Sequence, residues 1–200
     1  PDAGESTPPD ILPPLQEIEP NDRKTPMALE SGRSVGASIS SKKDNDWYRI
    51  VPDGEKVLRV AITGIPDLDL SLSLYDDSGR KLQRKVNNTG KNGEEIITNF
   101  LIQEPMLIRV QKGKGSYAEA ANEYSLIAVL NPPSSSDERE PNGSTGKATA
   151  LIAYEAIQGY LNNPEDKDVF RLDGGAPAFI RLEAEAPGDT GMVVKVFRRS

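Results

Sequence analysis

Residues 69–75 read Asp-Leu-Ser-Leu-Ser-Leu-Tyr, and this stretch decides the fold class predicted for the chain. Three leucines alternate with two serines, and in an extended strand successive side chains point to opposite faces. The stretch therefore predicts a strand with one apolar face in a core and one serine-lined face in water.

The same two-residue period recurs at residues 58–62, 106–110 and 124–129. Turn-forming sequences stand between these stretches, at Pro52-Asp53-Gly54, Asp77-Ser78-Gly79 and Asn92-Gly93. No long helical run separates the stretches. This arrangement of short strands predicts an all-β fold made of antiparallel β-sandwiches.

The composition excludes several classes of protein. Lys and Arg number 24 and Asp and Glu number 31, so the net charge of −7 disfavours nucleic acids and anionic membranes as partners. His and Cys are both absent, which removes the usual ligands of zinc, haem and iron–sulfur sites and the base of His-based triads. No apolar run approaches the roughly 20 residues of a membrane helix, so we expect no membrane insertion.

Two polar, proline-containing stretches divide the chain. Residues 1–16 are predicted to be a flexible, proline-rich linker, and residues 131–137 are predicted to be a second linker. Residues 17–130 form the first predicted domain, called here the first unit, and residues 138–200 form the second unit. A short basic cluster at residues 80–85 is predicted to be a solvated strand face.

An internal repeat relates the two units. Residues 17–22 read Glu-Ile-Glu-Pro-Asn-Asp and residues 138–143 read Glu-Arg-Glu-Pro-Asn-Gly; they are called here the first and the second acidic segment. Residues 44–50 recur in the same way at residues 166–172. The order and spacing of these elements predict two copies of one β-sandwich.

The repeat extends towards the end of the chain. Residues 180–182 match residues 58–60, and residues 192–197 match residues 70–75, with Met192, Val194 and Val196 on the predicted inner face. The second unit has no counterpart of residues 76–130. We therefore expect it to be truncated or to be completed by another segment.

The acidic segments and the Asp-x-Asp pairs that follow them are candidate calcium sites, because calcium takes about six to eight oxygen ligands from carboxylates, amides and carbonyls. The candidate ligands of the first unit are Glu17, Glu19, Asn21, Asp22, Asp44 and Asp46. Those of the second unit are Glu138, Glu140, Asn142, Asp166 and Asp168, with Gly143 at the position of Asp22. The alternative interpretation is that these side chains are solvated and cap turns at the start of each domain.

These features resemble the bacterial pre-peptidase C-terminal domain family, which includes the collagen-binding domains of clostridial collagenases. The resemblance rests on the Glu-x-Glu-Pro-Asn motif, on Asp44-Asn45-Asp46-Trp47-Tyr48, on the stretch from Asp67 to Tyr75 and on Tyr124-Ser125-Leu126. It covers residues 17–130 in full and residues 138–200 in part, as two tandem copies of which the second is incomplete.

The resemblance implies a jelly-roll-like β-sandwich of secreted, periplasmic or cell-surface proteins, often attached to peptidases, in which the acidic segment and the Asp-x-Asp pair share calcium. It implies a non-catalytic accessory module for spacing, stability or attachment to an extracellular protein or polysaccharide. The alternative is the accessory part of a secreted peptidase whose catalytic domain lies outside these residues. Because the collagen-binding relatives use exposed tyrosines, Tyr117 is the candidate for a ligand surface, whereas Trp47 and Tyr75 are expected in the core.

We expect these 200 residues to show no hydrolase activity on their own, because the sequence contains neither His, the usual proton carrier, nor a Cys nucleophile. The measurement is turnover of casein, gelatin and a panel of glycans by the purified protein. Turnover that survives repurification and disappears when a single carboxylate is mutated would show this expectation to be wrong.

Overall fold

The structure is a computed structural model of the chain. It describes residues 13–113, 123–159, 167–173, 180–185 and 193–197. The first twelve residues of the predicted linker lie outside the described residues, and so do the candidate surface residue Tyr117 and the candidate ligand Asp166.

The described residues form twelve strands and contain no helix, and hence no helix in this part of the chain is long and apolar enough to cross a membrane. The strands are β1 (Leu15–Gln16), β2 (Met27–Ala28), β3 (Ser34–Ser38), β4 (Asn45–Ile50), β5 (Lys56–Ile62), β6 (Leu70–Asp76), β7 (Leu82–Val86), β8 (Glu95–Ile102), β9 (Met106–Lys112), β10 (Glu123–Asn131), β11 (Thr149–Leu151) and β12 (Phe170–Leu172).

Ten of these strands make two five-stranded sheets that pack face to face. Sheet A has the order β1-β3-β10-β5-β8, and sheet B has the order β2-β4-β9-β6-β7. The eight strands from β3 to β10 are distributed between the sheets as in a jelly roll, the double-sheet arrangement built from two Greek keys. The predicted jelly-roll-like β-sandwich is therefore confirmed for the first unit.

The core lies between the two sheets. Sheet A contributes side chains such as Leu58, Val60 and Leu126, and sheet B contributes side chains such as Leu72 and Ile108; all five are fully buried. Burial of apolar surface stabilises a fold by roughly 25 cal/mol per Å² removed from water. The inward faces of the alternating stretches thus provide the main stabilisation of the sandwich.

Two short edge strands depart from the antiparallel pattern. β1 pairs with β3 and β2 pairs with β4 in parallel, whereas the central pairs of both sheets are antiparallel. β1 consists of Leu15 and Gln16, so sheet A begins two residues before the predicted start of the first unit. Leu15 packs against the core, which explains why these two residues belong to the sandwich.

The serine face of β6 does not lie in water, contrary to the prediction. Ser71 and Ser73 are both fully buried. Ser73 pairs with Arg109 on β9 and with Lys85 on β7, and long basic side chains cover short neighbours with their aliphatic stems. The two-residue period therefore identifies the strand correctly but not the exposure of its second face.

Trp47 is buried as expected, but on the outer face of sheet B rather than between the sheets. It pairs with Arg109, whose guanidinium carbon lies 5.4 Å from the Trp47 ring centre and 5.1 Å from the Tyr75 ring centre. Neither aromatic residue belongs to the core cluster between the sheets. A guanidinium over two aromatic faces makes cation–π contacts, and these contacts cover the outer face.

The second unit has much less regular structure in its described residues. Its strands β11 and β12 pair in parallel. Residues 180–185 and 193–197 form no strand, and the side chains of Val194 and Val196, expected on an inner face, belong to residues that are 51% and 84% exposed. A strand of this kind is stabilised by paired neighbours and an opposing sheet, which the described residues of the second unit do not supply.

Replacing Leu72 with alanine should destabilise the sandwich by about 2–5 kcal/mol, because the truncation leaves a cavity at a fully buried position. Ser73→Ala is the matched control in the same strand. The Ser73 Oγ is buried and has no hydrogen-bond partner among the described residues, so its removal should be neutral or slightly stabilising. Urea denaturation of both variants gives the two free energies, and equal losses would contradict the inner and outer positions of these residues.

Candidate metal sites

Three carboxylates of the first unit converge. Glu17, Glu19 and Asp46 each offer one oxygen, and these oxygens lie within 4.8 Å of one another. Calcium binds oxygens at about 2.3–2.6 Å, so two ligands of one ion are at most about 5 Å apart. The structure thus brings three of the predicted ligands close enough to hold one ion.

Neutral donors hold the two glutamates of the first acidic segment. The Ser38 N–H donates to Glu17 Oε1 at 2.7 Å, and the Asn21 side-chain amide donates to Glu17 Oε2 at 3.2 Å. The Asn21 backbone N–H donates to Glu19 Oε2 at 2.9 Å. Asn21 is buried and therefore orients both carboxylates. Burial raises the pKa of Glu17, and the hydrogen bonds from Ser38 oppose this effect.

Asp46 on β4 is fully buried and faces sheet A. The Tyr124 hydroxyl on β10 donates to Asp46 Oδ2, and the Tyr48 hydroxyl lies 2.8 Å from the Tyr124 hydroxyl. Asp46 Oδ1 is also buried, and it has no hydrogen-bond partner among the described residues. A buried carboxylate oxygen without a partner is unfavourable, and a cation bound between the carboxylates would compensate it.

The surroundings of Asp46 disfavour its ionised form. Burial raises the pKa of Asp46 from 3.8 to about 8, with the hydrogen bond from Tyr124 acting in the opposite direction. The negative charges of Glu17, Asp44 and Glu19 add to the effect of burial. A nearby positive charge favours the ionised form of a carboxyl group, so a bound cation would lower the pKa of Asp46 and favour its ionised form.

Two predicted carboxylate ligands of the first unit lie outside the group of three. Asp22 is exposed, and its Oδ1 accepts hydrogen bonds from the N–H groups of Lys24 and Thr25, so it caps a turn. These hydrogen bonds hold the pKa of Asp22 below its ordinary value. Asp44 Oδ2 accepts a hydrogen bond from the Ser40 N–H at 2.6 Å. For these two residues the structure shows the turn contacts that the alternative interpretation predicts.

A cavity of about 430 Å³ opens beside the first group of carboxylates. Glu19, Asn21 and Trp47 line it, together with Asp22 and Asp44. Trp47 is the single tryptophan of the chain. Its position makes it a natural spectroscopic reporter of this site.

The second unit carries a matching group of carboxylates. Glu138, Glu140 and Asp168 offer oxygens within 4.8 Å of one another, and both glutamates are buried. Asn142 occupies the position of Asn21: its backbone N–H donates to Glu140 Oε2 at 2.7 Å and its side-chain amide donates to Glu138 Oε2 at 2.9 Å. The Asn142 Oδ1 is buried without a hydrogen-bond partner among the described residues.

The backbone around the two groups follows the same pattern. The Trp47 N–H donates to the Asn21 carbonyl at 2.7 Å, and the Val169 N–H donates to the Asn142 carbonyl at 3.2 Å. β2 pairs in parallel with β4, just as β11 pairs in parallel with β12. The sequence repeat thus corresponds here to repeated local structure, while two tandem copies, the second incomplete, stay a prediction.

Several residues that hold these groups are missed by sequence reasoning. Ser38, Tyr48 and Tyr124 come from other parts of the sandwich, and no local pattern links them to the acidic segments. Arg84 belongs to the basic cluster predicted to be solvated, yet its side chain is 14% exposed and contacts Glu140 at 3.0 Å. No sequence pattern in or around β7 indicates the contact between Arg84 and Glu140, because this contact depends on how the two units meet.

Comparisons with known proteins give matches among solved structures only. No protein-family profile and no curated protein matches the chain. Among solved structures, a 1.0 Å crystal structure of the pre-peptidase C-terminal domain of a collagenase from Bacillus anthracis is similar to 58% of this chain and to 97% of that chain. The TM-score is 0.40 and the sequence identity is 12%. The function is therefore inferred from the geometry of the sites.

In the metal-free protein, Asp46 should make the sandwich less stable as the pH rises. Its pKa of about 8 in the folded state lies above its ordinary value of 3.8, so between these values the folded state keeps a proton that the unfolded state has lost. The contribution of Asp46 to the free energy of unfolding is complete below about pH 4 and is lost as the pH rises through about 8. The expected slope is at most about 1.4 kcal/mol per pH unit.

Urea denaturation in EDTA, near pH 5 and near pH 8, measures this effect against Asp46→Asn. The asparagine keeps the shape of the side chain but cannot ionise. The stability of the variant relative to the wild-type protein should therefore increase from the lower to the higher pH. A difference that does not change with pH would show that the pKa of Asp46 is not raised.

Proposed function

We propose that this chain is a non-catalytic accessory module of an exported bacterial protein. Calcium stabilises its β-sandwich units, which serve spacing, stability or attachment to an extracellular protein or polysaccharide. The β-sandwich of the first unit, the lack of His and Cys in the sequence, and the convergence of three carboxylates support this proposal.

The observation that carries the proposal is the buried Oδ1 of Asp46, which has no hydrogen-bond partner among the described residues. A merely solvated acidic residue would lie in water, whereas Asp46 is 0% exposed. Glu17 and Glu19 lie close enough to share one ion with it. Calcium suits such a set better than magnesium, because it accepts several oxygens in flexible geometry whereas magnesium demands a tight octahedron.

The ligand set also explains how an ion would stabilise the fold. Glu17 and Glu19 belong to the first acidic segment, which leads into the sandwich, and Asp46 belongs to β4 of sheet B. The same segment is bound to sheet A, since the Glu17 N–H donates to the Gly36 carbonyl at 2.9 Å. An ion held by all three carboxylates would connect the segment to both sheets and remove the repulsion between like charges.

We extend the proposal to the second unit, where Glu138, Glu140 and Asp168 repeat the arrangement. The repeated backbone hydrogen bonds support two tandem copies of one calcium-binding module. The alternative function implied by the family resemblance is the accessory part of a secreted peptidase whose catalytic domain lies outside this chain. Location in the periplasm, at the cell surface or in the medium is compatible with both.

Calcium should raise the melting temperature of the full chain by roughly 10 °C or more relative to EDTA. An ion that binds the folded state alone stabilises it by about 2.7 kcal/mol at a hundredfold excess over Kd. For a domain of this size, about 1 kcal/mol corresponds to roughly 4–8 °C. Magnesium should have a much smaller effect. Asp46→Asn and Glu19→Gln should lose most of the calcium effect, whereas Asp53→Asn, a change at an exposed turn carboxylate, should keep it.

Terbium luminescence gives a reading specific to the first site. Terbium binds oxygen ligands as calcium does, and its emission is sensitised by a nearby tryptophan, here Trp47. Excitation of Trp47 should give emission that calcium displaces and that Asp46→Asn weakens. Equal melting temperatures in calcium and EDTA, together with no sensitised emission, would mean that the acidic residues are only solvated and would overturn the proposal.

A further inference from the structure

The second acidic segment is docked on the first unit. The Glu140 N–H donates to the Asn99 carbonyl at 2.8 Å, and the Leu101 N–H donates to the Glu140 carbonyl at 2.7 Å. These two hydrogen bonds make a parallel bridge between Glu140 and Phe100 of β8, the edge strand of sheet A. The segment thus extends a sheet edge, where backbone groups are available for pairing.

The first unit also contributes a charged side chain to the second group of carboxylates. Arg84 on β7 donates from Nη2 to Glu140 Oε1 at 3.0 Å, and the two side chains are 14% and 2% exposed. β7 is the edge strand of sheet B, so Glu140 contacts the edge of each sheet. A second ion pair across the junction, between Arg139 and Glu55, is longer at 3.6 Å and more exposed.

The first group of carboxylates differs from the second in having no contact of this kind with a basic side chain among the described residues. Its hydrogen-bond donors are hydroxyls, a side-chain amide and backbone N–H groups. No Lys or Arg among the described residues forms an ion pair with Glu17, Glu19 or Asp46. The two groups share the same pattern of hydrogen bonds within the acidic segment, and the contact with Arg84 is one chemical difference between them.

We infer that Arg84 of the first unit sets the calcium affinity of the second site and couples calcium binding there to the docking of the two units. This inference rests on the proposed function. Arg84 and a calcium ion compete for the same buried carboxylate, because the guanidinium repels a second positive charge at Glu140. Arg84 also neutralises Glu140 when no ion is bound, which removes part of the electrostatic gain from binding calcium.

The coupling is reciprocal, since each partner weakens the binding of the other by the same factor. At low calcium the ion pair of Arg84 with Glu140 holds the junction together with the two backbone hydrogen bonds. At high calcium the ion takes over the charge of Glu140, and the backbone hydrogen bonds hold the segment on β8. The second site therefore binds calcium more weakly than the first, and its occupancy changes how firmly the units are joined.

The test is isothermal titration of the full chain with calcium in the Asp46→Asn background, which isolates the second site. Arg84→Gln removes the charge and should tighten calcium binding at least about tenfold, or about 1.4 kcal/mol. Arg84→Met, a second uncharged variant, should do the same, whereas Arg84→Lys keeps the charge and should stay close to the parent affinity. Arg49→Gln, which removes an exposed arginine paired with Asp77 in the same sheet, is the matched control and should change nothing.

Terbium emission through Trp47, measured with Asp46 intact, serves as a second reading. It should be the same with and without Arg84→Gln, which shows that the first unit is folded and its site unaltered. Unchanged or weaker calcium binding in both uncharged variants overturns the inference and leaves the proposed function of the first unit standing. Absence of all calcium binding in the Asp46→Asn background overturns both the inference and the second site of the proposed function.

Discussion

The Asp46 carboxylate lies where three parts of the first unit meet, and the architecture around it depends on how its charge is compensated. Asp46 belongs to sheet B, accepts a hydrogen bond from Tyr124 of sheet A and lies near Glu17 of the first acidic segment. Tyr48 extends the hydrogen-bonded chain into the core. A buried carboxylate is unfavourable unless a proton or a positive charge compensates it. Burial raises the pKa of Asp46, which favours its protonated form in the absence of a metal ion, and the nearby glutamates offer a place for a cation instead.

The two groups of carboxylates share their local structure and differ in their surroundings. The first group lies at one end of the sandwich, with Asp46 buried and Glu19 exposed, and neutral donors hold it. The second group lies at the junction between the units, where Glu140 is bonded to β8 through its backbone and to Arg84 through its side chain. Because electrostatic interactions depend strongly on nearby charges and burial, the same acidic motif acquires different properties at the two positions.

Strands β5, β6, β9 and β10 and their core faces follow from the alternation of apolar residues. The approach of Asp46 to Glu17 and Glu19 was an expectation from the family resemblance. Three features do not follow. Ser71 and Ser73 are buried because neighbouring strands place long side chains beside them. Trp47 packs with Arg109 outside the core, because a strand can carry a buried aromatic side chain on either of its faces. The valines near the end of the chain form no strand, because pairing requires neighbours that the pattern alone does not supply.

The sequence by itself determined the features that depend on residues close together in the chain: the two-residue period of the strands, the turns between them and the repeated acidic segments. The tertiary structure alone decided which partners these elements meet. Tyr124 and Asp46 are 78 positions apart, and Arg84 and Glu140 are 56 positions apart. Such pairs form because two strands or two units become neighbours in the fold. Local sequence patterns do not predict these pairs, because their interaction energy depends on the arrangement of the sheets rather than on the spacing of residues along the chain.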